Sequence, residues 1–564
     1  MDRNALLRIS LIILAGLLFW KFGSKGCGGE HKSTTAALVQ YTNAKDFDPD
    51  RVENADAKPV EGELCVLEGP RYRAEFSGRG AALVHYAVTD GHYANGPEGM
   101  ELGTTPDHER FRSLRTLFRG PGADTQFEVD RFNWKKVQNA PAGTCSYSYA
   151  DDRVAVTKTF KPTERPYEIA VETTIKNLAA EKRGHQFQIG AYAFRYNDEI
   201  KGKLGRVSPN VTDLSCAKGD EITHKAKDDF KDGPFTVAGA DRYMAVSTAF
   251  FAQAIVPQSG TADCVLNTSK FLGPEGKDDE DRASAVYEGR LVYPTKELAP
   301  QESATYGQTV YYGPKDRVLL PLAIAGKGQL GGLITYSSFL GLPLAPVAKI
   351  LVGGLTFFYG KVGNWGIAIM LLTIALKLCL LPLALPGIKN SIKLRKIKPE
   401  LDELKKKYPD DMQARQLATM ELHKKHGVSM VTGCLPQLAT MPIWVAMYST
   451  IQTAVEFYHV KFLWFGDLSL PDRFYILPLL LGGFMLLQTK VVPQQAEMDP
   501  TQQKMMTFMM PVVFTVMMLF LPAALGVYML TNSVLNILQT LGVEAYARRA
   551  VAAAQSGEIV VKSV

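Results

Sequence analysis

The chain is 564 residues long and carries 63 Lys+Arg against 57 Asp+Glu, a formal net charge of +6. That balance excludes a dedicated nucleic-acid binder, which shows a concentrated basic excess, and 46% hydrophobic with 21% charged residues excludes a disordered chain. The averages conceal a division: residues from about 30 to 320 are mixed and polar, whereas those from about 330 to 545 contain apolar runs of membrane length.

Residues 5–20 (ALLRISLIILAGLLFW) lie between Arg3 and the pair Lys21 and Lys25, without a small-x-small cleavage site. They predict an uncleaved membrane anchor over 1–23, followed by a polar tether over 24–60. Over 61–320 the dominant signal is alternation with period two. In Tyr167–Lys176 one face holds Tyr167, Ile169, Val171, Thr173 and Ile175, and the other holds Glu168, Glu172 and Lys176. Similar runs at 153–160, 186–196, 243–256 and 305–312, separated by Gly, Pro, Asn and Asp, predict a large antiparallel β-sandwich. Cys65, Cys145, Cys216 and Cys264 allow three pairings in an oxidising compartment, and the sequence does not choose among them. No CxxC pair occurs, and His85, His92, His108, His185 and His224 lack metal-ligand spacing, so neither a metal nor a cofactor is expected. Gly326-Lys-Gly328-Gln-Leu-Gly331 fits GxGxxG, but without a surrounding βαβ unit it reads as a flexible junction.

Residues 329–362 are apolar but broken by Pro343, Pro346, Lys349 and Gly353-Gly354, which suggests an interfacial amphipathic helix. A core over 363–543 follows, with spans near 364–386, 434–456, 474–491, 505–521 and 523–542. The anchor makes six. The loop 387–432 holds eleven Lys and Arg, against Lys461 and Arg473 in the loop 457–473. By the positive-inside rule the first loop is cytoplasmic, so both termini are cytoplasmic and residues 24–330 lie outside. Within the hairpin 387–430, Leu394, Ile397, Leu401, Leu404 and Tyr408 form a seam that Pro399 must kink or restart. Asp410 or Asp411 caps a return helix over 412–426, and His423-Lys-Lys-His426 reads as exposed surface. Lys396, Lys398, Lys405, Lys406 and Lys407 offer a docking surface for acidic headgroups, ribosomal RNA or a targeting partner; a merely solvated hairpin explains them equally. The tail 544–564 begins with Arg548 and Arg549 on the cytoplasmic side.

The most informative residue is Lys377, thirteen positions after Asn364 and twelve before Lys389. At 1.5 Å per residue it lies roughly 18–20 Å from either end of its span. A lysine at mid-span costs roughly 2.5–3.5 kcal/mol, so it marks a functional site unless a membrane carboxylate neutralises it. No Asp or Glu lies near mid-depth in the later spans; Glu456 sits at an end. The cation must therefore use water or the polar groups Thr373, Gln437, Thr440, Gln452, Gln488, Tyr528, Asn532 and Asn536. The pattern describes a hydrophilic cavity with a standing, unpartnered positive charge, suited to an arriving acidic segment. The missing carboxylates weigh against a proton- or sodium-coupled transporter. Twelve of the eighteen methionines fall between 430 and 529, consistent with an adaptable apolar face beside that cavity.

Asn364-Trp-Gly366, Thr373-x3-Lys377, Gly433-Cys-Leu-Pro436, Met441-Pro442, Tyr475-Ile-Leu-Pro478, Asp499-Pro-x-Gln-Gln503, Met509-Met-Pro511 and Tyr528-x3-Asn532 resemble, in order and spacing over about 329–543, the YidC membrane-protein insertase family. The anchor and β-domain resemble its Gram-negative form. The resemblance implies a multi-span α-helical inner-membrane protein with six transmembrane helices and a large periplasmic β-sandwich. It implies an insertase and chaperone, not an enzyme, that holds nascent membrane-protein segments in a hydrophilic groove and releases their helices into the bilayer. The implied partners are ribosome–nascent chain complexes and the Sec translocon. The groove residues carried over are Lys377, Thr373, Gln488, Tyr528, Met529, Gln437 and Asn532. Lys377 stands where the family usually has Arg, which keeps the charge but loses the five-donor fork. Met529 replaces one of two frequent aromatics, and Val428-Ser-Met-Val-Thr432 departs from the usual Asn-Pro approach to the next span. The alternative is a small-solute transporter or channel with a substrate-collecting domain, which predicts internal repeat symmetry; carbohydrate binding by the sandwich rests on fold analogy alone.

Overall fold

The computed structural model describes residues 62–94, 99–103, 111–119, 126–127, 133–200, 208–258, 260–271, 284–336, 338–339, 342–408, 411–428, 430–491 and 505–555. The expected anchor over 1–23, the tether over 24–60 and the end of the tail lie outside the described residues, as does the loop 492–504.

The strands Leu64–Gly69, Tyr72–Ser77, Ala82–Val88 and Met100–Glu101 form a four-stranded antiparallel sheet. A nine-stranded sheet runs, in spatial order, Glu221–Lys225, Asp213–Lys218, Tyr243–Ser247, Phe251–Pro257, Ser303–Pro314, Glu168–Asn177, Val154–Pro162, Cys145–Ala150 and Lys135–Lys136. A seven-stranded sheet is built on Phe235–Ala240, Ala262–Phe271, Ser284–Val292 and Arg183–Tyr196, extended by three short strands. The large sheets share one hydrophobic core. Phe187 of one stacks on Tyr306 of the other, centroids 4.5 Å apart. The sheets also approach closely at Gly289, where a Cβ would displace the flexible Met244 side chain of the opposite sheet.

Alternation sets which face is buried. Tyr167, Ile169, Val171, Thr173 and Ile175 are all buried, while Glu172 on the reverse face is exposed. Glu168 departs from the pattern: it is buried, and its Oε1 accepts the backbone N–H of Ile324 at 2.7 Å. That bond corrects the flexible-junction reading of 326–331. The chain after Pro314 forms 3₁₀ turns at Leu320–Gly326 and Leu330–Leu333, with Leu320, Ile324, Leu330 and Leu333 inserted into the β core. The glycines there serve a tightly packed plug, Gly326 having φ of 74°.

The cysteine pairing left open by the sequence is Cys65–Cys145 and Cys216–Cys264. The first joins the four-stranded to the nine-stranded sheet, and the second joins the two large sheets.

The helical half consists of α1 (Ala345–Val362), α2 (Trp365–Lys407), α3 (Met412–Lys425), α4 (Met430–Gln452), α5 (Ile476–Val491), α6 (Met510–Met518) and α7 (Ala523–Gln555). Gly363, with φ of 65°, ends α1, and the Asn364 side chain accepts from Ile367 N to begin α2. Of the two outcomes expected at Pro399, a kink or a restart, the restart does not occur: α2 continues through Pro382, Pro386 and Pro399. Each proline removes one hydrogen bond but not the packing of its neighbours: Ile397 and Leu401 form a small core with Leu394, Leu422 and Val428 across the hairpin. Asp411, not Asp410, caps α3, accepting from Ala414 N at 2.9 Å.

By length and apolarity, one described helical segment, Trp365–Asn390, suffices to cross a bilayer, against the six spans expected. The 16 residues of α5 rise only about 24 Å, short of a roughly 30 Å hydrocarbon core. α7 is longer, but Thr531, Asn532, Ser533, Asn536, Gln539 and Thr540 dilute its apolar character.

Candidate functional site

Lys377 lies on α2, one turn beyond Thr373, and is half-buried. Its Nζ donates to Asn536 Oδ1 of α7 at 2.6 Å. The expectation of an unpartnered cation is therefore corrected. The charge has a partner, but a neutral one, drawn from the polar groups the sequence offered. An amide oxygen satisfies one ammonium proton and leaves the net charge unchanged.

Spacing explains how the two helices meet here. Thr373 and Lys377 are four residues apart on α2, while Tyr528, Asn532 and Asn536 repeat every four residues on α7, so each set shares one helix face. The Thr373 hydroxyl is committed to Ile369 O of its own helix at 2.7 Å, and Thr540 Oγ1 donates back to Asn536 O at 2.9 Å. Thr373, Tyr528 and Met529 are buried, the last two within the apolar cluster of the helical half. Asn532 and Gln488, on α7 and α5, are half-buried. Among the described residues no hydrogen bond links either to Lys377. Gln437 lies within α4, where its side chain falls outside the described set.

The helical half also exposes apolar side chains. Leu378, Leu479, Phe508, Val512 and Leu538 are each exposed by more than half, and Ile350 and Phe357 project from α1. In the hairpin, Lys396, Lys406 and Lys407 are exposed, whereas the side chains of Lys398 and Lys405 fall outside the described set. The expectation for His423-Lys-Lys-His426 needs correction: His423 is buried and His426 Nε2 lies 3.3 Å from Glu400 Oε2. Among the described residues no cluster of His, Cys, Asp and Glu could hold a metal.

A second charged point escaped the sequence. Glu456 does not approach Lys377; it pairs with Arg317, just past the last long strand of the β-domain, at 2.6 Å. Both side chains are more than nine-tenths buried. Arg317 also donates to Thr450 O and Thr453 Oγ1, each at 3.1 Å, and its backbone N–H reaches the same carboxylate. Beside the pair, Tyr458 packs among Tyr93, Phe250 and Phe251 of the β-domain. Lys315 is buried close by, its Nζ donating to Thr248 O at 3.1 Å, and burial pushes its ammonium down to about 8. Arg317 and Glu456 are 139 residues apart, and nothing local to either announces the other.

Comparison with known proteins follows these two halves. Residues 65–345 match the family model described as the YidC periplasmic domain, and residues 357–550 match the one described as the 60Kd inner membrane protein. A membrane protein insertase YidC of Citrifermentans bemidjiense is 39% identical over 492 residues, covering 85% of this chain and 84% of that one. Another, of an Anaeromyxobacter species, is 31% identical over 483 residues with the same coverage of each. A solved structure of an active YidC insertase aligns over 95% of this chain and 99% of that one, at 17% identity and a TM-score of 0.37. With relatives of this identity spanning most of its own length and of theirs, the chain belongs to the YidC membrane protein insertase family.

Proposed function

We propose that this chain is a membrane-protein insertase and chaperone of the bacterial inner membrane. It takes up nascent membrane-protein segments and releases their hydrophobic helices into the bilayer. The observation that carries the reading is Lys377, a cation half-buried in a long apolar helix whose hydrogen-bond partner is the neutral Asn536. An acidic external segment of a client gives that charge the counter-ion it lacks among the described residues, while the exposed apolar flanks of α2, α5 and α7 accept the client's helix. The driving force is transfer of client apolar surface from water to lipid, about 25 cal/mol per Å², and no chemical step is needed. The transporter alternative gains no support from the family assignment.

In the finer reading the chain crosses the membrane six times, with 1–23 as anchor and both termini cytoplasmic. The β-domain, 61–320, is periplasmic, α1 lies along the interface, and 363–543 forms the insertase core. Lys377, Thr373, Gln488, Tyr528, Met529, Gln437 and Asn532 form the client groove. The exposed lysines of the hairpin receive the ribosome–nascent chain complex, and the Sec translocon cooperates for larger clients. The lysine excess of 387–432 supports this orientation.

The test is insertion of a single-span client with an acidic external segment into liposomes. Lys377→Ala and Lys377→Glu are expected to abolish insertion and Lys377→Arg to restore it. Equal insertion by all four proteins removes Lys377 from the mechanism. Failure of wild type to exceed empty liposomes removes the insertase reading itself.

A further inference from the structure

The segment 458–475, between α4 and α5, is a loop that clasps the starting ends of three helices. Leu470 O and Leu468 O accept Ala523 N and Ala524 N, at the start of α7, at 2.8 and 3.0 Å. Asp472 Oδ2 accepts Leu477 N of α5 at 2.7 Å. The Phe462 ring lies so close to Gly366, at the start of α2, that a Cβ there would run into it. The loop is thus held at the level where α2, α5 and α7 begin.

One buried carboxylate organises its outer side. Asp472 Oδ1 accepts Trp464 Nε1 at 3.2 Å and Phe474 N at 3.0 Å, and so ties together two turns. The first, Phe462 to Phe465, is closed by reciprocal backbone hydrogen bonds of 3.1 and 2.9 Å. The second runs from Asp472 to Tyr475, whose N–H reaches Asp472 O at 3.2 Å. Each holds a bulky residue in left-handed backbone, Leu463 at φ of 51° and Tyr475 at φ of 57°. Residues with a side chain seldom adopt that conformation, and they keep it only where the surroundings impose it. Phe462, Phe465 and Leu468 are buried in the apolar cluster of the helical half. Leu463, at 72% exposure, Phe474, at 61%, and Tyr475, at 54%, are held outward instead.

Two observations identify what covers these tips. Tyr475 leads directly into α5, where Leu479, Leu480 and Leu487 are exposed, so the tips continue an apolar helix surface. Lys461 and Arg473 flank them, exposed and without an ion pair among the described residues. The acids of the segment are drawn inward: Glu456 is paired with Arg317, Asp472 is buried, and half-buried Asp467 accepts Ser469 N and Oγ, each at 2.7 Å. Aromatic and aliphatic tips with basic flanks, at the level where apolar helices begin, match the boundary between a bilayer and water.

We infer that this loop is a membrane anchor: Leu463, Phe474 and Tyr475 enter the headgroup layer of the leaflet in which α2, α5 and α7 begin, and Lys461 and Arg473 meet anionic headgroups. The inference rests on the reading of α5 as a lipid-facing helix. Because Arg317 grips the start of this segment through Glu456, the anchor also ties the β-domain to the bilayer surface.

The experiment places a bimane label on the full-length protein in nanodiscs, with Cys27, Cys379 and Cys434 replaced by Ser. Labels are attached at Leu463→Cys or Phe474→Cys, at Leu479→Cys on α5, and at exposed Asp152→Cys in the β-domain. Quenching is read with lipids carrying a nitroxide near the headgroup or deep in the acyl chain. Labels at 463 and 474 are expected to be quenched by the shallow nitroxide at least about twofold more than the label at 152. The label at 479 is expected to respond to the deep nitroxide. Replacing phosphatidylcholine in part by phosphatidylglycerol is expected to increase the quenching at 463 and 474, and Lys461→Glu with Arg473→Glu to cancel that increase. Leu463→Asp is expected to lower quenching of the label at 474. Quenching at 479 with loop labels that behave like 152 overturns the anchor and leaves the lipid-facing reading of α5 intact. No quenching at 479 overturns that reading and the anchor with it. An increase with phosphatidylglycerol that survives the double charge reversal removes Lys461 and Arg473 from the contact.

Discussion

The two halves of this molecule handle unfavourable groups in opposite ways. In the β-domain, exposed large apolar side chains are few. Among the described residues up to Pro314 they are Leu64, Val66, Tyr196 and Val211, whereas from Ile350 onward they recur along α1, α2, α5 and α7. Some of the β-domain's buried polar side chains are committed to cross-sheet contacts. Buried Lys158, for example, donates to Thr116 Oγ1 at 2.7 Å and to Leu114 O. The helical half instead keeps a cation on one neutral amide amid exposed leucines. A sandwich in water has to bury its apolar faces, whereas a helical bundle in lipid can leave apolar faces open. The Arg317–Glu456 pair stands where these two regimes meet.

That junction supplies the largest expected effect. Removing one partner of a buried pair strands the other charge, at a cost of about 3–5 kcal/mol. Arg317→Ala and Glu456→Ala are each expected to lower the melting temperature and to open the segment 453–475 to protease. The double replacement Arg317→Met with Glu456→Leu is expected to be milder than either single, because no charge is left unpaired. Singles that melt like wild type show that the pair does not hold the halves together.

Next in size are the disulfides, which belong to the β-domain alone. Each links residues far apart, 80 for Cys65–Cys145 and 48 for Cys216–Cys264, and its removal costs about 2–5 kcal/mol. Reduction is expected to lower the β-domain transition, and Cys65→Ser with Cys145→Ser to reproduce most of that loss. Insertion by the folded protein at ambient temperature is expected to change little, since both disulfides among the described residues lie in the β-domain. Parallel loss of insertion and β-domain stability on reduction breaks the comparison.

How much of this was legible beforehand follows from range. Period-two alternation is local, so the buried face of 167–175 was readable, and so was the cap of α3 to within one aspartate. Lys377 was legible because a charge inside an apolar run is costly wherever the run folds. Its partner was narrowed to a list of polar groups, since helix pairing decides which of them is adjacent. The disulfide pairing, the Arg317–Glu456 joint and the packing of 320–333 into the β core depend on contacts across the fold. Glu168 looked like a surface residue because its acceptor role requires Ile324, 156 positions away. His423 misled for the same reason: a helix-end histidine followed by Lys424 and Lys425 looks exposed, and only the fold shows it buried.

A smaller effect probes the cation's partner. Asn536→Leu removes the one amide that Lys377 contacts among the described residues, and hydrogen bonds to charged groups contribute about 1.5–3 kcal/mol. Insertion is expected to fall several-fold but not to vanish, with the acidic client affected less than a neutral one because the client itself supplies an acceptor. An Asn536→Leu protein as inactive as Lys377→Ala makes the amide, and not the cation, the essential group.

The smallest effect lies in the β-domain and concerns pH. His185 is partly buried and shares a 2.9 Å hydrogen bond with Tyr306. Burial first, and the Lys296 charge second, push its imidazole from 6.5 down to about 4. Because the folded value is the lower one, the unfolded chain takes up the proton first on acidification. The contribution to stability is therefore complete above pH 6.5 and is lost progressively as the pH falls toward 4. Discounted for partial exposure, the loss is about 1 kcal/mol by pH 5. His185→Gln keeps a hydrogen-bonding group for Tyr306 but does not titrate. The difference in β-domain melting temperature between wild type and this variant is expected to shrink or reverse between pH 7 and 5. A difference that stays constant across that range assigns His185 a packing role only, and the acid sensitivity of the β-domain then lies in its carboxylates.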